Sequence, residues 1–387
     1  VFTLSNVPRD ATLEISYVGM KTQDIPVNGR TVIDVVMEEE TMMLEEVEVV
    51  AYGSQKKVTV TGAISSVKGE EILKVPVASI SNTLAGMVSG VSTVQYSGEP
   101  GRDEAEIYVR GVTTLNNSSP LVQVDGVERP FSQLDPNEIE SITVLKDASA
   151  TAVFGVRGAN GVILVTTKRG ALGKPKISFS TSVGAQMPTR LLEFANSYQY
   201  ASFYNEAQIN DGVDPSKVMF QPEVIEAFRT HSDPILYPDM DWLNYLLKDE
   251  AVQSQHNVNI SGGIDNLRYF VSLGVFTQEG LFKTFDTGYN FNFNYTRYNY
   301  RANLDVDLSK STLLLINLGG RLEDKNAPIS AEDQRQLFRH LYWATPFSGA
   351  GIIDGKWIKS NPDYLPMTGS DGLNPYYGKG YNSDSRN

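Results

Sequence analysis

The stretch RYNYRANLDVDL, Arg297 to Leu308, alternates without a break. Tyr298, Tyr300, Ala302, Leu304, Val306 and Leu308 fall on one side of an extended chain. Arg297, Asn299, Arg301, Asn303, Asp305 and Asp307 fall on the other. One face therefore suits an apolar medium and the other a wet one. A half-exposed sandwich strand alternates in the same way, so the neighbouring segments decide. NLRYFVSLGVFTQ places Leu267, Tyr269, Val271, Leu273 and Val275 on one face. STLLLINLGGRLE does so with Thr312, Leu314, Ile316, Leu318 and Leu322, and QHNVNISGG alternates more weakly. GIDN and LSKS between them are tight turns, whereas Arg190 to Ala251 and the chain from Asn326 onward are long connections. Short turns on one rim and long loops on the other are the organisation of a transmembrane β-barrel. Five such strands are expected after Lys174, with the chain ending at Asn387 in a polar loop.

Composition narrows the function. The 387 residues are 41% hydrophobic and 20% charged, which is globular composition. With no cysteine there is no disulfide framework or thiolate metal site, and His231, His256 and His340 lack metal-ligand spacing. No metal or cofactor is expected. A formal net charge of −13 argues against nucleic acid. No apolar run approaches the roughly 18 residues of a membrane helix, so any span must be a closed barrel.

Upstream of the alternating strands the character changes twice. Residues 1–43 turn like a small β-sandwich: ATLEISYVG sets Leu13, Ile15 and Tyr17 on one face, and TVIDVVMEE resumes after the Asn28-Gly29 turn. Forty residues are too few for an independent core, so this segment reads as the tail of a larger domain. Residues 44–53 are charged and extended in propensity, either a linker or a strand that pairs with a partner's sheet edge. Residues 54–172 read as a mixed α/β domain with strands at Ala63–Val67, Ile107–Val109, Leu121–Val124, Ile139–Leu145 and Val162–Thr167. ISNTLAGMV has helical spacing, and DASATAVFG is a short helix capped by Asp147 or Ser149 and stopped at Gly155. Residues 173–387 hold the alternating strands. Within their long first loop, helices are expected after a Ser197 cap, from Pro222, and through a Trp242, Tyr245, Leu246 stripe.

At LEEVEVVAYGSQKK and VTGAISSVKGEEI the chain resembles the starch-utilisation (SusC/RagA) class of TonB-dependent outer-membrane transporters. GVSTVQYSGEPG from Gly90, IYVRG from Ile107, PLVQVDGV from Pro120 and the long run from Asp135 to Gly170 carry the same resemblance. So do RYFVSLGVFTQEG and RYNYRANLDVDLS. The resemblance implies a mainly β fold, a transmembrane antiparallel β-barrel of about 22 strands with a plug inside it. Too few residues follow Lys174 to close such a barrel, so the sequence reads as an N-terminal portion. Residues 1–43 resemble the end of a carboxypeptidase-regulatory-like domain, a name that implies no peptidase. The implied function is import of a large nutrient across the outer membrane of a Gram-negative bacterium, an oligosaccharide or else a peptide. The implied partners are TonB with ExbB and ExbD, and a SusD-like surface lipoprotein.

Under this resemblance Glu46, Val47, Glu48, Val49, Val50, Ala51, Tyr52 and Gly53 match the TonB box, with Glu48 and Ala51 departing from its more apolar form. A plug that fills a lumen yet moves must hold the wall by polar contacts. Arg102, Arg110 and Arg157, beside turn glycines, are candidates to pair with inward carboxylates, or else are solvated surface arginines. Trp242, Tyr245, Trp343 and Trp357 either stack on sugar rings or brace the loops. Gly155, Gly158 and Gly161 follow a helix and lack a Gly-Lys-Ser/Thr, which favours turn glycines over a phosphate loop. No convergent catalytic set is visible, so no enzyme is expected. A secreted carbohydrate-binding or adhesive β-protein is the competing class, separated by detergent dependence.

Overall fold

In the computed structural model, residues 7–36, 47–56 and 64–386 are described, apart from breaks at 9, 18–19, 51–52, 76, 113–117, 133, 287–289, 291, 329–340 and 361–379. The chain divides into two units, Val1–Thr61 and Gly62–Asn387. In the first, β1 (Thr12–Tyr17) pairs antiparallel with β2 (Met20–Pro26). Asn28 and Gly29 follow with positive φ, as expected of that turn. Among the described residues the expected resumption at Thr31 forms no ladder: Val32 and Val36 are exposed, and Val36 O accepts from Gln23 Nε2 at 3.2 Å. A separate hairpin joins β3 (Val47–Val50) to β4 (Gly53–Lys56).

The second unit begins with β5 (Ile64–Lys68) and α1 (Gly69–Ile72), followed by a ribbon of β6 (Val91–Gln95) and β7 (Ala105–Val109). Then come β8 (Leu121–Val124), β9 (Val127–Glu128), β10 (Ile139–Leu145), α2 (Ala148–Thr151) and β11 (Val162–Thr167). They form a sheet in the order β5-β10-β11-β8-β9, parallel only between β8 and β11. Its core is Val67, Ile72, Ile80, Leu84, Ile139, Ile142, Val144 and Ile163, all buried. ISNTLAGMV buries the face it predicted, but only Ile80–Asn82 forms a 3-10 turn. Gly155 breaks the helix after Asp147, with φ 58. Asp147 makes no side-chain cap there, because its carboxylate is taken by Arg110.

The third element is an antiparallel sheet: β12 (Gly173–Gln186), β13 (Ala251–Ile264), β14 (Leu267–Glu279), β15 (Asn294–Ser309) and β16 (Thr312–Pro328) in sequence order. Between β12 and β13 lie α3 (Ser197–Asn210), α4 (Pro222–Thr230) and α5 (Trp242–Leu246). Asn196, not Ser197, caps α3: its side chain accepts from Gln199 N at 2.8 Å while Gln199 Oε1 accepts from Asn196 N. Ser197 Oγ instead donates to Pro238 O. Beyond β16, β17 (Gly349–Ile353) pairs with β18 (Lys356–Lys359), and β19 (Gly380–Arg386) joins the sheet on β16. β19 corrects the expected terminal loop. Its partner stretch Leu322–Pro328 meets the apolar rows described next only at Leu322, beside Tyr298 in the uppermost row, so its sequence GYNSDSR needs little apolar alternation.

The burial of this sheet is inverted relative to a soluble strand. On β15, Arg297, Arg301 and Asn303 are 2%, 4% and 1% exposed, while Tyr298 and Tyr300 are each 47% exposed. Outward residues stack in register: Ile177, Ile260, Val271, Ala302 and Leu318 form one row, and Phe179, Val258, Leu273 and Tyr300 the next. From His256 to Ile264 the outward rows span about 27 Å of strand, or roughly 20 Å of height at a tilt near 40°, close to the ~25 Å belt of a membrane barrel. Tyr298 lies at the upper margin and Tyr269 toward the lower, where aromatic girdles belong. Among the described residues no helix is long and apolar enough to cross a membrane.

Leu273→Arg in the full-length protein is expected to cost about 2–4 kcal/mol at mid-belt. The check is the yield of folded, heat-modifiable barrel; a yield equal to that of the unmodified protein would contradict the lipid-facing assignment.

Candidate functional site: the seam between plug and wall

The polar row of β15 needs partners, because it is buried and carries charge. The α/β unit supplies them position by position. Arg297 Nη1 donates to Ala78 O at 3.2 Å, its Nε to Asn299 Oδ1 at 2.9 Å, and its guanidinium lies 5.3 Å from the Phe276 ring centroid. Arg301 Nε donates to Glu138 Oε2 at 2.7 Å, and its Nη1 lies 3.4 Å from Asp125 Oδ2. Asn303 Nδ2 donates to Thr167 Oγ1 and Lys168 O, both at 2.8 Å. Asp305 pairs with Arg169, which also donates to Asn317 Oδ1 at 3.1 Å. On β16, Lys325 Nζ forms an ion pair with Glu99 Oε1 at 2.6 Å.

Local structure aims each partner. Asp125 and Gly126, with φ 50 and 84, form the tight turn joining β8 to β9. The Asp125 carboxylate accepts from Thr167 N at 3.0 Å and Thr167 Oγ1 at 2.7 Å, which holds it toward Arg301. Glu138 ends a 3-10 turn opened by Asp135 and Pro136. The wall gives way beneath Arg301: a Cβ on Gly319 would stand 3.2 Å from its Nη2. Gly170, where the chain passes to the wall, has no room for one at all, with Tyr269 N and O at 2.4 Å.

Burial pushes the Glu138 carboxyl up to about 7, against the lowering pull of Arg301. Its Oε1 meets no donor among the described residues, so the charged form is under-compensated. Burial likewise lifts Asp103 to about 6; this residue lines a cavity of about 270 Å³ with Ala78, Arg102, Tyr295 and Arg297.

The sequence candidates lie partly elsewhere. Arg110 pairs with Asp147 and Arg157 with Glu128, all four within the α/β unit. Arg102 lines the cavity beside β15. Arg169 is a plug arginine that does reach a wall carboxylate, and in the ion pairs named above the wall more often supplies the cation. The signal lay in the opening stretch, whose wet face carries Arg297 and Arg301 and calls for acceptors or acidic partners. Trp242, Tyr245 and Trp357 pack together in the loop core. Trp242 Nε1 donates to Thr345 O at 2.9 Å, and Tyr245 OH accepts from Ile352 N at 2.7 Å. Trp343 is exposed, as are Phe194 and Tyr342, whose rings lie 5.9 Å apart. Val47, Glu48, Val49, Val50 and Gly53 fall in the β3–β4 hairpin; Glu46, Ala51 and Tyr52 lie outside the described residues.

An apolar face outside and a charged row seated on a folded α/β unit inside give the arrangement of a plug against part of a barrel-like wall. Comparison with known proteins points the same way. Residues 56–162 match the TonB-dependent Receptor Plug Domain. The TonB-dependent receptor P26 of Formosa agariphila is 35% identical over 280 residues, 70% of this chain and 27% of that protein. The TonB-dependent receptor SusC of Bacteroides thetaiotaomicron is 29% identical over 372 residues, 90% of this chain and 35% of SusC. The RagAB peptide importer in its open-open state superposes with a TM-score of 0.60 at 28% identity, covering 72% of this chain and 32% of that one. Along most of its length the chain is similar to SusC/RagA-type TonB-dependent transporters, and it spans about a third of the length of these relatives.

Two outcomes follow for the seam. Arg301→Met leaves Glu138 and Asp125 buried without their cation, which should weaken plug seating by about 3–5 kcal/mol. Protease access to the plug should then begin at lower denaturant, and an unchanged onset would contradict the clamp. Because the Glu138 carboxyl is raised above the ordinary 4.5, the seated plug binds its proton more tightly than the released one. Its contribution is complete below pH 4.5 and lost as pH rises through about 7. Glu138→Gln should flatten that dependence, measured by the same protease onset between pH 5 and 8.5.

Proposed function

We propose that the whole protein imports a large nutrient across the outer membrane, driven by TonB with ExbB and ExbD. The observation that carries this reading is the Arg301 clamp on Glu138 and Asp125. Water and counter-ions replace such contacts, whereas an apolar plug–wall interface would expose oily surface on every transport cycle. In this reading β12–β16 and β19 are part of a closed barrel of about 22 strands. Its role is transport, not catalysis.

Glu46–Gly53 is the segment that TonB grips. Val47–Val50 is already extended, and backbone hydrogen bonds to a partner strand carry a pulling load while side chains set register. A SusD-like lipoprotein closes the barrel from outside. The proposed cargo is an oligosaccharide, supported by the exposed rings of Phe194, Tyr342 and Trp343 on the loops, surfaces that suit stacking on sugar. A peptide cargo is the second reading, favoured by the likeness to the RagAB peptide importer.

Val49→Pro removes a backbone donor from the gripped segment. The expected outcome is loss of uptake with normal membrane insertion and normal plug protection. Uptake at the unmodified rate would remove Glu46–Gly53 from the role. Growth on glycans set against growth on peptides as sole nutrient separates the two cargo classes.

A further inference from the structure

The turn DPNE, Asp135 to Glu138, carries two carboxylates to the wall, and only one meets a cation. Asp135 is buried. Its Oδ1 accepts from Asn137 N at 2.8 Å, Asn137 Nδ2 at 2.9 Å and Gln255 Nε2 at 3.1 Å; its Oδ2 accepts from Asn257 Nδ2 at 3.1 Å. Among the described residues no Lys or Arg stands within ion-pair distance of it. Directly beneath lies Gly274 of β14, in register between Asn257 and Asn299. A Cβ on Gly274 would stand 2.1 Å from Asp135 Oδ2 and 3.2 Å from its Cγ.

Glycine weakens a strand interior, because it loses more backbone freedom on folding and has no side chain to pack. Gly274 has no left-handed backbone to justify it, so close approach is its reason. We propose that Gly274 is a notch in the barrel wall and Asp135 the key that fixes the seated register of the plug. Gln255 and Asn257 of the wall and Asn137 of the plug orient the key by directional hydrogen bonds. Asn257 is itself held by Ser272 Oγ at 3.0 Å. The bonds are to neutral donors, which water matches when the plug leaves, while the notch admits only one position when it returns. The wall contains its own control: a Cβ on Gly184 of β12 would meet Gln253 at an ordinary 3.6 Å.

The inference rests on the plugged-barrel reading, and its test does not depend on import. In the full-length protein carrying Val49→Pro, sensitivity of cells to a bulky antibiotic normally excluded by the outer membrane reports plug sealing. The heat-modifiable band reports barrel folding. Gly274→Ala should raise sensitivity several-fold with the folded band retained, and Gly184→Ala should match the parent. Asp135→Ala should also leak, and the Gly274→Ala/Asp135→Ala double variant should leak no more than Asp135→Ala, since removing the carboxylate empties the notch. Should Gly274→Ala fail to fold, recovery of the folded band in the double variant supports the proposal and its absence overturns it. A sealed Gly274→Ala, or a double variant that sums the two single effects, also overturns it.

Discussion

One strand must satisfy two media, and the rest of the unit is arranged around it. β15 offers tyrosines and aliphatics outward and Arg297, Asn299, Arg301, Asn303 and Asp305 inward. The inward groups are buried, or half-buried at Asp305, so each requires a donor, acceptor or counter-charge close by. The plug meets that requirement with Ala78 O, Glu138, Asp125, Thr167 and Arg169. Seating the plug and neutralising the wall are the same event.

The plug divides its forces accordingly. Internally it is held by apolar packing of Ile72, Ile80, Leu84, Ile142 and Ile163, which loses free energy whenever water enters. At the seam it is held by charge and hydrogen bonding, which water restores on separation. A plug of this construction leaves the wall more readily than it loses its own core. Inward glycines serve the same boundary. Gly319 accommodates the Arg301 guanidinium, and Gly170 lets the chain run flush against Tyr269.

Strand positions were legible because period-two alternation is a local property. Leu121–Val124, Ile139–Leu145 and Val162–Thr167 fall where the sequence places them. β19 was not legible, since it pairs from the upper margin of the belt outward, where little apolar face is required. The α3 cap was displaced by one residue because Asn196 and Gln199 close a reciprocal pair that Ser197 cannot. At the seam, sequence showed that charge was needed but not which charge meets which. That depends on the three-dimensional aim of Asp125 and Glu138, fixed by a left-handed turn and a 3-10 turn that both lie far from Arg301 in the chain. Trp242, Tyr245 and Trp357 illustrate the same limit: composition offered stacking or bracing, and their mutual packing appears only in the fold.

These 387 residues contain no cysteine, so none of them competes with a cysteine pair placed at the seam. Asn303 and Thr167 meet across it at 2.8 Å. With Asn303→Cys and Thr167→Cys in the full-length protein, and the loop between β12 and β13 cut by an inserted protease site, the two fragments should stay joined when oxidised. They should separate only on reduction under denaturing conditions. Fragments that separate without reductant would show that β15 does not face the plug.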